Sequence, residues 1–185
     1  MTTNEDKEHK LVESVFNDLL NSIEYKTDDA DQKLIKRAFS LAKDAHKGVH
    51  RKSGEPYITH PISVAQIVAT EIGLGPTSIA TALMHDVVED SDYTLVDIEG
   101  MFSPSIARLI DGLTKISGVV SMESSMQREN YRKMLLTISD DGRVILIKLE
   151  DRLHNMRTMS GMPENKQLKI AEEKVFLYAQ LAQRW

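Results

Sequence analysis

The sequence predicts an all-α bundle of roughly eight to ten helices, on three observations. Apolar residues recur at three- and four-residue spacing through most of the chain, prolines stand where helices should begin, and no two segments read as partner strands. The first helix, near residues 8–24, follows from Leu11, Val15, Leu19 and Ile23, and the second, near 30–47, from Leu34, Ala38, Leu41 and Ala45. Pro61 after His60 opens a third near 61–73, and Pro76 after Gly75 a fourth near 76–90, since proline is tolerated in a first helical turn. A short helix is expected near 94–101, followed by one near 103–115 at Pro104. Helices near 127–139, 142–157 and 163–183 complete the set, the last at Pro163. "RVILIKLEDRL", Arg143 to Leu153, has a β-branched run with strand propensity, but with no second strand to pair with it reads as helix. Two segments, Lys47 to His60 and Ser117 to Met126, carry the Gly, Ser and Pro that interrupt regular structure.

A chain of 185 residues with 41% hydrophobic content can bury one sizeable core, so residues 1–185 read as a single domain with residues 1–8 as a flexible lead. It contains no cysteine, which excludes disulfides and thiolate metal sites and fits a reducing cytoplasm; any metal must be held by nitrogen and oxygen. The polar start "MTTNEDKEHK" has no apolar segment behind it, and no run approaches the roughly 18 apolar residues of a membrane span. No membrane association is therefore expected. A net charge of -5 argues against a nucleic-acid binder, so any polyanionic ligand must be met by a local basic patch. Nothing in the sequence bears on oligomeric state. The nine methionines read as core fillers, and Tyr57 and Tyr131 either border a pocket or simply pack.

The stretch "TALMHDVVEDSD", Thr81 to Asp92, places four ionisable groups in an apolar run. On a continuous helix at ~100 degrees per residue, His85, Asp86, Glu89 and Asp90 project from one side. An isolated His-Asp dipeptide is most often a solvated helix face. Here it has company: His60 at a helix start, otherwise a capping residue, and Asp151, otherwise an aspartate paired with Arg152. Asp151, Asn155 and Thr158 share a helical face, and His154 lies off it, in a core or supporting place. Neutral imidazole with carboxylates suits a divalent first-row metal such as Mn, Fe or Zn, the oxygen-rich set favouring Mn. Lys43, Lys47, Arg51 and Lys52 supply a concentrated basic run just before His60.

The order His60, His85-Asp86, Asp151 resembles the H…HD…D arrangement of the HD-domain metal-dependent phosphohydrolases. More closely, "HRKSGEPYITHP", "ALMHDVVEDSDYT" and "IKLEDRLHNMRTM" resemble the hydrolase domain of the RelA/SpoT homologues, which degrade the alarmones ppGpp and pppGpp, with similarity from about Ala30 to Trp185. The resemblance implies an HD-type helical bundle, a Mn2+ ion, and hydrolysis of the 3′-pyrophosphate to GDP or GTP plus pyrophosphate in stringent-response control. It implies His60, His85, Asp86 and Asp151 as metal ligands and Glu89 and Asp90 as the catalytic acid and base, without saying which is which. It places Arg51 against the guanine plane, Lys52 near phosphate with Ser53 and Gly54 in the same motif, Asn155 at the pyrophosphate and Thr158 along the nucleotide pocket. Arg152 contacts phosphate or pairs with a neighbouring acid.

The chain departs from the family at Glu150, where a small alanine is usual beside Asp151, and at Gln180 and Gln183. Its closing "LYAQLAQRW" resembles the stretch joining hydrolase to synthetase in the bifunctional enzymes, with no synthetase sequence after it. Hydrolysis alone is expected, whether from a short enzyme or from the N-terminal part of a longer one. Competing readings are an HD phosphohydrolase of another nucleotide or of NADPH, and a catalytically silent nucleotide-binding regulator. Glu89 and Asp90 are both present, which opposes the last.

Overall fold

The computed structural model describes residues 4–23, 27–120 and 140–158, with residues 118–120 as backbone only. The described residues form eight helical segments and no strand: α1 (Asn4–Ser22), α2 (Asp29–Ala45), α3 (Thr59–Thr70), α4 (Pro76–Leu83), α5 (Val87–Asp90), α6 (Leu95–Met101), α7 (Pro104–Val120) and α8 (Arg143–Arg157). The expected all-α class is borne out. The helices expected near 127–139 and 163–183, Tyr131, and the altered Gln180 and Gln183 lie outside the described residues.

Local chemistry explains the boundaries. Asp28 caps α2 and Thr94 caps α6, each by accepting a bond from the residue three ahead, whose own side chain bonds back to the cap. Pro76 opens α4. The β-branched run at Val144, Ile145 and Ile147 is helical and buried in α8, because its apolar side chains find a helical core rather than a sheet. α1 begins at Asn4, ahead of the expected start at residue 8. α7 runs on through Val120, so the first part of the Ser117 to Met126 segment is helical rather than irregular.

The fourth expected helix is not continuous. It stops at Leu83, and Met84, His85 and Asp86 form a turn before α5 starts. In an unbroken helix the Ala82 carbonyl would accept from the Asp86 N–H; instead the His85 ring takes it, with Nδ1 at 2.7 Å. A side chain that competes for a backbone carbonyl ends the regular ladder.

α3 and α4 lie at the centre, with α3 burying Ile62, Val64, Ala65 and Val68 and α4 burying Ile79, Ala80, Ala82 and Leu83. α1 packs on α3, α2 on α4, and α7 and α8 close the other side. Phe16 and Phe39 stack at 3.8 Å between ring centroids to join α1 to α2. Leu109 of α7 is 1% exposed within this core. Leu109→Ala is expected to lower unfolding free energy by about 2–5 kcal/mol, read as a lower urea midpoint at unchanged slope.

Candidate metal and nucleotide site

Each candidate ligand is delivered by a different element. His60 sits in the first turn of α3, His85 and Asp86 in the turn between α4 and α5, and Asp151 in the middle of α8. His60, His85 and Asp86 each place a ligating atom within 4.8 Å of one another. Asp151 Oδ1 joins them, 3.2 Å from His60 Nε2 and 3.7 Å from His85 Nε2. His60 is therefore no surface cap; it is 2% exposed and faces inward.

The tautomers are fixed by what lies behind the rings. His85 Nδ1 meets the Ala82 carbonyl, which only accepts, so Nδ1 carries a hydrogen and Nε2 is the ring atom turned to the cluster. His60 Nδ1 lies 2.8 Å from His154 Nδ1. Burial holds the His154 pKa down at about 4, so His154 is neutral and can accept from His60, freeing His60 Nε2 in the same way. His85 Nε2 lies 2.9 Å from Asp86 Oδ2 yet meets no hydrogen-bond geometry. Two such atoms aimed past each other fit convergence on a shared cation better than a bond between them.

The charges agree. Burial opposes the ionised form of Asp86 and Asp151, but His85, with His60 and Lys148 at Asp151, holds both carboxyls well below the usual range. Burial lowers the His60 pKa, whereas at His85 the two aspartates outweigh burial and push it up to about 9. The cluster thus brings two ionised carboxylates together with two imidazoles. Its nitrogen and oxygen donors suit a divalent metal, and the residues fit that role.

Two supporting residues had only weak sequence signals. The Tyr57 hydroxyl donates to Asp86 Oδ2 at 2.6 Å, orienting that carboxylate; only its place three residues before His60 hinted at this. Lys148, 4% exposed, places Nζ 3.2 Å from Asp151 Oδ2, the i,i+3 spacing being its signal. Glu150 is buried too, but its charged neighbours are Glu71 and Arg157, so this departure from the family faces away from the cluster.

Beside the cluster lies the second half of the site. Residues 50–57 form a tight turn, with Gly54 N–H donating to the Arg51 carbonyl and Arg51 N–H to the Glu55 carbonyl. Gly54 has φ +93, a conformation that favours glycine. The turn aims Arg51 at α8, where Nη2 donates to Asn155 Oδ1 at 3.1 Å and Thr158 Oγ1 at 3.3 Å. Asn155 in turn donates to Asp151 Oδ1 at 2.8 Å, tying Arg51 to the His/Asp cluster. Arg51 Nη1 is buried without a hydrogen-bond partner among the described residues, a donor placed for a ligand.

The remaining candidates spread out. Glu89 and Asp90 are exposed on α5 and look to different walls. The charges acting on Glu89 are Lys148, Asp86 and His85, with the Ser117 hydroxyl beside it; Asp90 lies 3.8 Å from His46 Nε2. Burial pushes the Glu89 carboxyl above its ordinary value. Lys52 and Ser53 are exposed at the turn, and Arg152 is half-buried with no hydrogen bond to the cluster among the described residues. Of the basic run, Lys43 is paired with Glu13 of α1 at 2.7 Å.

The family described as the HD domain matches residues 38–185 of this chain. The chain belongs to that family. It is 43% identical over 168 residues to the GTP pyrophosphokinase rsh of Brucella melitensis and 44% identical over 153 residues to the bifunctional (p)ppGpp synthase/hydrolase SpoT of Escherichia coli K12. Those alignments cover 90% and 82% of this chain but only 22% of each relative. A solved structure described as a metazoan ortholog of SpoT that hydrolyses ppGpp and plays a role in starvation responses matches with TM-score 0.62 and 26% identity, over 82% of this chain and 86% of that one. The resemblance to RelA/SpoT homologues read from the sequence is borne out, and hydrolases stand among the relatives. Among the described residues no helix is long and apolar enough to cross a membrane.

Arg51→Ala is expected to weaken nucleotide binding about 10- to 100-fold, read by calorimetry, with metal content unchanged. The side chain reaches α8 without touching His60, His85 or Asp86.

Proposed function

We propose that residues 1–185 act as one metal-dependent hydrolase domain that removes the 3′-pyrophosphate of ppGpp and pppGpp, giving GDP or GTP and pyrophosphate. The observation that carries this reading is the joining of two groups by one residue: Asn155 bonds both Asp151 of the His/Asp cluster and Arg51 of the adjacent turn. His60, His85, Asp86 and Asp151 would hold the cation, Mn2+ by preference, which supplies polarisation of the phosphoryl group and a more acidic water. Arg51, Asn155 and Thr158 bind the guanine nucleotide, with Lys52, Ser53 and Arg152 at the rim toward its phosphates. Glu89, whose charged neighbours include Asp86 and His85 and whose carboxyl burial holds above its ordinary value, takes the proton of the attacking water. Asp90 gives a proton to the 3′-oxygen as its bond to phosphorus breaks. A place in stringent-response control and a cytoplasmic setting belong to the same reading, the latter supported by the cysteine-free composition.

The test is direct. The Mn-loaded chain, incubated with ppGpp and a panel of nucleotides including NADPH, should release pyrophosphate and GDP from ppGpp. No pyrophosphate from ppGpp overturns the proposal; phosphate or pyrophosphate from another member of the panel supports the alternative substrate, and tight binding without turnover supports a regulator.

A further inference from the structure

The turn that carries Arg51 is fastened on two sides. His50 and Pro56 face each other across it as an isolated antiparallel bridge, and the Tyr57 N–H donates to the Val49 carbonyl at 2.9 Å. Successive residues of extended backbone point to opposite sides, and here Arg51 reaches α8 while His50 reaches α1. His50 Nε2 lies 3.2 Å from Glu8 Oε2; a carboxylate oxygen accepts, so Nε2 is the donor. The other oxygen of that carboxylate, Oε1, accepts from Asn4 Nδ2 at 2.6 Å, which holds the Glu8 side chain along the first turns of α1.

We infer that Glu8 and His50 are positioning residues for nucleotide binding: their bond ties the turn to α1, so that Arg51 stands at Asn155 and Thr158 before a nucleotide arrives. The inference deepens the proposed function and rests on it for Arg51 as a nucleotide ligand. Observed affinity is the intrinsic affinity scaled by the fraction of molecules whose binding residues are already in place. With the turn fastened, only the Arg51 side chain has to settle on a ligand; with it loose, the backbone of the turn must be ordered as well, and binding meets that cost. The bound complex has the turn in place in either case, so the effect falls on affinity and not on the chemical step. Its size is bounded by the pair. Both side chains are partly exposed, 29% for Glu8 and 40% for His50, and a pair of that kind shifts an equilibrium by up to about fivefold.

Two arms test this on the full chain. The first needs no nucleotide. The Arg51, Gly54 and Tyr57 amides donate to the Glu55, Arg51 and Val49 carbonyls, and their hydrogen exchange should quicken about two- to fivefold in Glu8→Ala while amides of α3 and α4 keep their wild-type rates. Unchanged exchange at all three, or faster exchange throughout the chain, overturns the inference. The second arm is kinetic, on the Mn-loaded protein with ppGpp. Glu8→Ala and His50→Ala should each raise KM about two- to fivefold with kcat within about 1.5-fold of wild type, and the double variant should lose no more than either single one, as two ends of one bond do. Glu13→Ala is the control: it breaks a comparable pair on α1, with Lys43 at 2.7 Å, that does not reach the turn, and it should leave KM unchanged. Wild-type KM in Glu8→Ala, additive losses in the double variant, or an equal rise in Glu13→Ala overturns the inference. If the wild-type chain releases no pyrophosphate, the proposed function fails while the exchange arm still decides whether Glu8 holds the turn.

Discussion

Replacing Glu89 with Gln is expected to slow pyrophosphate release from ppGpp by about 10²- to 10⁴-fold, the usual contribution of a positioned general base. The amide keeps the size and polarity of the carboxyl and removes its ability to take a proton at neutral pH. Glu89 lies outside the group His60, His85 and Asp86, so metal content should match wild type. Among the described residues no hydrogen bond or salt bridge joins it to Arg51, Asn155 or Thr158, so nucleotide affinity should match as well. A fall in kcat with unchanged affinity assigns the loss to the chemical step. The raised carboxyl pKa has the direction this role needs, because a base closer to neutrality accepts a proton more readily and still returns it. Turnover within about threefold of wild type would move the base to another residue, Asp90 being the nearest.

The helical periodicity and the placed prolines carried most of the fold, because buried helix faces and first-turn prolines leave local marks in a sequence. The grouping of His60, His85, Asp86 and Asp151 was legible from the sequence blocks, and the face shared by Asp151, Asn155 and Thr158 reappears as the chain of bonds from Asp151 to Asn155 to Arg51. The break after Leu83 was not legible. It arises from one ring nitrogen taking one carbonyl, a contact that periodicity arguments ignore. The break sets His85 and Asp86 in a turn and Glu89 and Asp90 on α5, so the four do not lie on one continuous helix. Nor was the behaviour of the basic run legible. Neighbours in sequence separate because α2 ends at Ala45: Lys43 stays on the helix against Glu13, and Arg51 follows the Gly54 turn toward α8. His154 was hidden for a related reason, since its partner His60 lies 94 residues away.

Asp151→Ala should cost more than any other single change in the cluster, because Asp151 serves four neighbours at once, His85 among them. Oδ1 faces His60 Nε2 and accepts from Asn155, and Oδ2 faces Lys148. Lys148 is 4% exposed, and no other salt bridge is formed by it among the described residues. Removing the carboxylate leaves a buried ammonium uncompensated, a change that typically costs about 3–5 kcal/mol. It also frees Asn155 and with it the seat of Arg51, so metal content, nucleotide affinity and urea midpoint should all fall. Asp86→Ala provides the contrast: it should also abolish metal binding, measured by atomic emission on the dialysed protein, but it leaves the Lys148–Asp151 pair intact and should unfold at a higher urea concentration than Asp151→Ala. Adding Lys148→Met to Asp151→Ala removes the stranded charge. That double variant should recover most of the stability and none of the metal, which separates the two roles of Asp151; if the urea midpoint of Asp151→Ala equals that of wild type, Lys148 does not depend on this carboxylate.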